Sequence, residues 1–387
     1  MVLNFRIFLL ALATFVTGTA ENIIVGILPD ISSGLGISRG LAGQLTSAFS
    51  VTFAVAAPAV LLLTNRFERR LVFLGAMGVF VAASLLAASS PGYAFLFAAR
   101  IGMALASAAV CVVATMMATE LAGPEMRGRA IGVIFMGISG SLVLGVPAGM
   151  FVSGHLGWRS VFLLLALLAA LVLVLSWVVM SRTGISAGKA PGYRKHLSSW
   201  NLVAAQLVSV TMIGGHFTLF AYLAPYLLDI AGFAQGELFL AFLAFGISGV
   251  TGGHLGGRLA DLFSPGKALV ITTVAYLAAL AAIPAALEQP VIQVVVLMVW
   301  GCISWMISPV VQGFLIAEDP EGSEAGIGLN FSAMHIGVGL GTALGGVAVD
   351  WDLLETLPWL GAGLAVLAVG LSVVATRSRI RPVCSMP

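Results

Sequence analysis

Residues 158–180 read WRSVFLLLALLAALVLVLSWVVM, and from Ser160 to Met180 the run carries no charge at all. A helix rises 1.5 Å per residue, so about 20 apolar residues cross the hydrocarbon core of a bilayer. The run is apolar on every side and does not alternate apolar with polar, which excludes a barrel strand and fits a lipid-spanning helix. Eleven more stretches of the same kind lie around it, at 5–29, 41–64, 71–89, 94–119, 129–153, 200–228, 236–257, 266–287, 290–316, 326–349 and 355–376. Composition agrees: of 387 residues 60% are hydrophobic and 9% charged. A soluble domain carries about 25% charged residues, so this chain could not cover its surface in water. The net charge of +2 is too small to suggest nucleic acid. Cys111, Cys302 and Cys384 have neither metal-ligand nor redox spacing, so no disulfide framework is expected.

The first stretch has a basic start, Arg6, and resembles a signal peptide in outline. It runs too long for one, carries Glu21 and is followed by eleven further spans, so it reads as the first transmembrane helix. Lysine and arginine then set the orientation. One side of the expected bundle holds Arg6, Arg66, Arg69, Arg70, Arg127, Arg129, Arg182, Lys189, Arg194, Lys195, Arg258, Lys267, Arg377, Arg379 and Arg381. The other side holds only Arg39 and Arg159, and Arg100 falls within the fourth span. Positive loops stay in the cytoplasm, so both termini are expected there. A polar linker at 181–199 divides the chain into an N-terminal bundle, 1–180, and a C-terminal bundle, 200–376, with a tail at 377–387.

A shift of 196 residues superposes landmarks of the two halves: Pro29 on Pro225, Asn65 on Asp261, Gly145 on Gly341 and Gly149 on Gly345. Single glycine matches mean little. Four landmarks in one register, with the linker between, predict two parallel repeats of six helices around a midplane site, an architecture of alternating-access transporters.

The loop after the eighth stretch, 257–267, reads GRLADLFSPGK, with Gly257, Asp261 and Lys267. This resembles the G-x-L-A-D signature loop of the major facilitator superfamily. A carboxylate there can meet a helix N-terminus or an arginine and latch one conformation. The first copy, LLLTNRFERR at 61–70, is degenerate, with Asn65 where Asp is usual and Glu68 where Gly is usual, followed by Arg69 and Arg70 beside Arg66. In the fifth stretch, GSLVLGVPAG at 140–149 is similar to the antiporter motif of proton-coupled exporters, with Val146 inserted between Gly145 and Pro147. Its glycines, Gly149 included, would let helices approach closely, and generic packing would use them in the same way. The segments LGWRSVF at 156–162, GTAEN at 18–22, GILPD at 26–30, AGQL at 42–45 and RAIGVIFMG at 129–137 resemble twelve-helix drug:proton antiporters. The branch they are most similar to contains bacterial purine base, nucleoside and sugar efflux pumps. The resemblance covers essentially the whole chain. It implies an all-α membrane protein of two pseudo-symmetric six-helix bundles in a bacterial inner membrane, without cofactor or metal, driven by the proton gradient.

Ionisable groups in mid-membrane are expensive and need a partner or a water-filled cavity. Glu21, midway along the first stretch, is the leading candidate for a proton carrier. Arg100, in the segment RIGMA at 100–104 that matches the family's fourth-helix motif, is its expected electrostatic partner. His216 and His335 can change charge in the useful range, although lone buried histidines more often only hydrogen-bond their neighbours. Related pumps have Asn at the position of His335. The substrate cavity is expected to include Asn22, Gln44, Met136, Tyr222, Trp300, Trp305, Gln312 and Asn330 besides the two histidines, with aromatics stacking on a planar ligand and amides reading its edges. Trp300 and Trp305 could instead belong to an interfacial belt. Asp30 and Asp229 read as entrance or capping groups.

The expectation is therefore a proton-coupled antiporter exporting a purine base, nucleoside or drug-like solute, acting as a monomer. A facilitator or proton symporter importing a small solute is the alternative. Two G-x-S-G matches, Gly137–Gly140 and Gly246–Gly249, raise an intramembrane serine protease, but twelve spans and the repeat speak against it. No phosphate-cradling loop is present for ATP-driven transport.

Overall fold

In a computed structural model the chain is described over residues 5–63, 67–122, 127–180, 192–287 and 289–377. It is all helical: α1 Phe5–Leu35, α2 Arg39–Leu63, α3 Arg69–Ala88, α4 Tyr93–Ala122, α5 Arg127–Gly140, α6 Val146–Leu156, α7 Trp158–Val179, the short α8 Tyr193–Leu197, α9 Trp200–Phe220, α10 Leu223–Pro225, α11 Leu238–Leu262, α12 Pro265–Ala285, α13 Pro290–Glu318, α14 Ser323–Asp350 and α15 Leu357–Arg377. A π-turn, Ser141–Gly145, joins α5 to α6 as one span, so twelve helices are long and apolar enough to cross a membrane among the described residues. In lipid every backbone polar group must be satisfied within the span, which is why the apolar runs can only be helices. They form two six-helix bundles.

Two spans depart most from their sequence limits, and the eighth, read as 236–257, runs on as α11 to Leu262, so Gly257 and Asp261 lie on a helix and not in a loop. The first continues through Pro29 to Leu35 and stops where Gly36 takes φ +63°. The proline only removes one donor near the helix end, where a neighbouring span can compensate. The seventh, read as 200–228, breaks at Phe220. Tyr222 leaves helical geometry at φ −117°, ψ 21°, and Tyr226–Ile230 follows as a second π-turn after Pro225. Pro147 stands just beyond the first π-turn and has no N–H to offer the preceding turn.

The glycines of the fifth span, Gly145 in the π-turn and Gly149 in α6, do packing work. A Cβ on Gly145 would lie 2.2 Å from Thr19 Oγ1, and one on Gly149 would lie 2.1 Å from Ile23 Cδ1. They seat α6 against α1 on both sides of Glu21. The second half repeats the crossing in the same register: a Cβ on Gly341 would lie 2.1 Å from the Gly214 carbonyl, and one on Gly345 would lie 2.5 Å from the Thr218 carbonyl.

The bundles meet mainly along α2 against α14, with α11 against the first π-turn and α6. Part of this contact lies at the end away from the linker. At that far end Arg39 pairs with Asp229, and the Gly40 N–H donates to the Asp350 carboxylate at 3.1 Å.

Candidate functional site

Arg100 organises the first bundle around α1. The side chain is fully buried, and its guanidinium donates to the backbone carbonyls of Ala20, of Glu21 at 3.3 Å and of Leu45 at 3.4 Å, while lying 4.3 Å from the centre of the Phe49 ring. One residue of α4 thereby ties α1 to α2. A planar guanidinium with five donors can serve three carbonyls in this way. The expected direct pairing of Arg100 with the Glu21 carboxylate is replaced by these carbonyl bonds. Its charge still lies close enough to offset that of Glu21 electrostatically.

The Glu21 carboxylate instead faces the other bundle. Its Oε1 lies 3.2 Å from His335 Nε2 on α14, and the two side chains are 22% and 12% exposed. The other ring nitrogen, Nδ1, lies 2.8 Å from the Phe331 carbonyl one turn back, so it must carry a hydrogen and donate. Phe53 of α2 stacks flat on the imidazole, with centroids 3.9 Å apart and planes at 4°. One turn further along α14, Ser47 donates to the Gly339 carbonyl at 2.7 Å, and a Cβ on Gly339 would meet Val51 at 2.6 Å. This close crossing of α2 and α14 brings His335 to Glu21.

With Nδ1–H committed to a carbonyl, Nε2 and Oε1 stand 3.2 Å apart, and a hydrogen bond between them would need one proton. Either a carboxylic acid donates to neutral imidazole, or imidazolium donates to carboxylate. Without that proton a lone pair faces a carboxylate in a low-dielectric interior, and the contact becomes repulsive. The pair thus brings two titratable side chains of opposite bundles together.

The remaining expected site residues scatter. Tyr222 is buried in the far-end contact, donating to the Thr342 carbonyl at 3.0 Å, and Gln44 lies beside it near Gly346. His216 and Trp300 sit inside the second bundle. His216 Nδ1 is 3.0 Å from Ser304 Oγ, whose own hydrogen goes to the Trp300 carbonyl, and Phe217, Phe220, Phe245 and Trp300 surround the ring. Asn330 is buried, donating to Gln206 Oε1 at 3.0 Å and Ser209 Oγ at 2.8 Å. Asn22 donates to the Gly18 carbonyl and Gln312 to Ser308, each within its own helix. Trp305 packs over Gly249, and Met136 is exposed. Of the motif residues, Arg69 pairs with Glu120, and Arg70 donates to the Trp177 carbonyl. Lys267 is exposed, and Gly257 has open space around it. Asn65, Arg66 and the side chain of Asp261 lie outside the described residues. Phe53, Ser47 and Asp350 escaped the sequence reading, since nothing local marks them among similar neighbours.

Comparison with known proteins comes to the same architecture. The model of the Major Facilitator Superfamily matches residues 10–342. The chain is 32% identical over 379 residues to an uncharacterized MFS-type transporter, YbcL, of Bacillus subtilis (strain 168), covering 97% of each. It is 30% identical over 372 residues to a chloramphenicol resistance protein of Streptomyces lividans, covering 95% of this chain and 94% of that one. It is 29% identical over 391 residues to the inner membrane transport protein YdhP of Escherichia coli (strain K12), covering 99% of each. Among solved structures, an inward-facing, unoccupied bacterial homolog of the human lysosomal transporter Spinster superposes with a TM-score of 0.80 at 16% identity over 97% of each chain. A D-xylose-proton symporter superposes at 0.78 and 15% identity, over 96% of this chain and 97% of that one. At these identities the structures speak for the fold alone.

Proposed function

The chain belongs to the major facilitator superfamily, a family of transporters and not of enzymes, and we propose that within it this member exports a small organic solute in exchange for protons. The observation that carries the reading is the 3.2 Å contact between Glu21 and His335, which places two titratable groups across the bundle interface where one proton could join them. A proton entering from outside completes the joint. Once it is lost to the cytoplasm, the carboxylate needs another donor, and a solute N–H, O–H or cationic group supplies it. Proton and solute then compete for Glu21, and occupancy by either lets the bundles rock about the joint. The name of the chloramphenicol resistance protein supports the outward direction. The solute class is a purine base, a nucleoside or a drug-like compound. In this reading the linker end and both termini lie in the cytoplasm of a bacterium, the bundles divide at 181–199, and the far-end contact closes the outer side.

The test is a proteoliposome assay with an imposed pH gradient, screened over adenine, adenosine and chloramphenicol. Accumulation against the solute gradient, driven by protons moving the other way and lost in Glu21→Gln, is the expected result. Movement of solute and protons in the same direction, or gradient-driven transport that persists in Glu21→Gln, overturns the reading.

A further inference from the structure

Helix α2 begins at the far end, where its first N–H groups have no carbonyl one turn back to serve them. Its own bundle supplies one acceptor: Ser38 Oγ takes the Leu41 N–H at 3.0 Å. The opposite bundle supplies another: Asp350, the last residue of α14, takes the Gly40 N–H on Oδ1 at 3.1 Å. Asp350 is exposed, but Gly40 is buried, so its N–H depends on that carboxylate while the bundles are together. A Cβ on Gly40 would lie 2.4 Å from the Asp350 carboxylate and from the Gly346 carbonyl. Only a glycine lets the helix end come this close.

The contact has no counterpart in the other half. The shift of 196 residues pairs Gly40 with Gly236 and Asp350 with Gly154. An added Cβ at Gly154 or Gly236 would find nothing within 4 Å. Beside the contact stands the ion pair of Arg39 and Asp229, with side chains 37% and 43% exposed. Water competes for both charges, and holding a long arginine in one geometry costs entropy, so such a pair contributes little. A backbone N–H at a helix end is already in place and lies at the positive end of the helix dipole, which favours a carboxylate.

We infer that Asp350 is the positioning residue that holds the outer side shut, by capping a helix of the opposite bundle, and that the neighbouring ion pair adds little. When the far end opens, water reaches the Gly40 N–H and replaces the cap. Loss of the carboxylate therefore penalises the closed state alone. The far end is the outer gate in the proposed function, and this role of Asp350 rests on that reading; neither the solute nor the coupled proton enters it.

The experiment uses the full chain in nanodiscs without solute or pH gradient, so its outcome is independent of the exchange assay. Spin labels at Ser33→Cys and Gln235→Cys, exposed at the far end on opposite bundles, report the separation, with Cys111, Cys302 and Cys384 replaced. The ratio of long to short distances should rise about tenfold in Asp350→Ala, the effect of orphaning a buried N–H in the closed state. Asp350→Asn keeps an acceptor oxygen without the charge and should fall between the two. Asp229→Asn should stay within about threefold of the unsubstituted protein. An unchanged distribution in Asp350→Ala overturns the inference, as does a shift in Asp229→Asn as large as that in Asp350→Ala.

Discussion

Gly43→Ala should open the far end. A Cβ on Gly43 would lie 1.9 Å from Tyr222 Oη and 2.5 Å from Cζ, far inside contact distance. Tyr222 cannot step aside. It is fully buried, its hydroxyl donates to the Thr342 carbonyl at 3.0 Å, and its ring edge lies 2.9 Å from where a Cβ on Gly345 would be. The overlap therefore falls on the contact between α2 and the end of α9. Overpacking a tight site costs about 1–3 kcal/mol, and loss of the tyrosine hydrogen bond adds about 0.5–1.5 kcal/mol. The penalty applies only while the far end is closed. At about 1.4 kcal/mol per factor of ten, the closed state should lose roughly tenfold to about a thousandfold in population relative to open states. The assay is a spin-label distance measurement between Ser33→Cys and Gln235→Cys, both exposed at the far end, with the native cysteines replaced. The distribution should shift to longer distances in Gly43→Ala. It should not shift in Gly78→Ala, where nothing lies within 4 Å of the new methyl. A folded Gly43→Ala protein with an unchanged distribution would refute the reasoning.

Two further outcomes follow from packing and protonation. Gly145→Ala places a methyl 2.2 Å from Thr19 Oγ1 and 2.9 Å from its Cβ, so rotation of the side chain gives no relief; thermal unfolding in detergent should report a loss of about 1–3 kcal/mol, while Gly154→Ala, with open space around it, should be neutral or slightly stabilising. His196 of α8 is buried with its Nε2 3.1 Å from the Gln206 amide nitrogen, which donates to it. Burial pushes this histidine below its usual range, against the pull of Asp319. The unfolded chain therefore takes up a proton that the folded chain refuses, and stability falls as pH drops below about 6.5. The melting temperature should decrease between about pH 7.5 and about pH 5.5, and the decrease should be smaller in His196→Gln; an acid slope unchanged by that substitution would contradict the assignment.

The spans were legible in the sequence because lipid leaves the backbone one option and hydropathy reports it directly. Their ends were less so. Pro29 looks like a stop but sits where one missing donor costs little, whereas Pro225 disrupts a helix that periodicity alone would run on to 228. Glu21 stood out because a carboxylate in an apolar run is rare. Its partner did not, since the expectation followed charge to Arg100 and could not foresee that three backbone carbonyls would claim the guanidinium. His335 was visible as a titratable group but not as the neighbour of Glu21, because that contact is made by the crossing of α2 and α14 at Gly339. Phe53 is one of 22 phenylalanines, and only the fold separates it from the rest. Tyr222 and Gln44 were assigned to a cavity by polarity, yet they lie in the contact that closes the far end.

The central claim is that Glu21 and His335 hold one proton between the bundles. Nitrogen-15 spectra of histidine-labelled protein test it most directly, with the His335 ring assigned by comparison with His335→Asn. Nδ1 should remain of the N–H type across the titration while Nε2 alone changes between protonated and unprotonated. At a given pH the Nε2 signal should differ between the unsubstituted protein and Glu21→Gln. Protonation switching at Nδ1, or an Nε2 titration identical with and without the Glu21 carboxylate, would contradict the account.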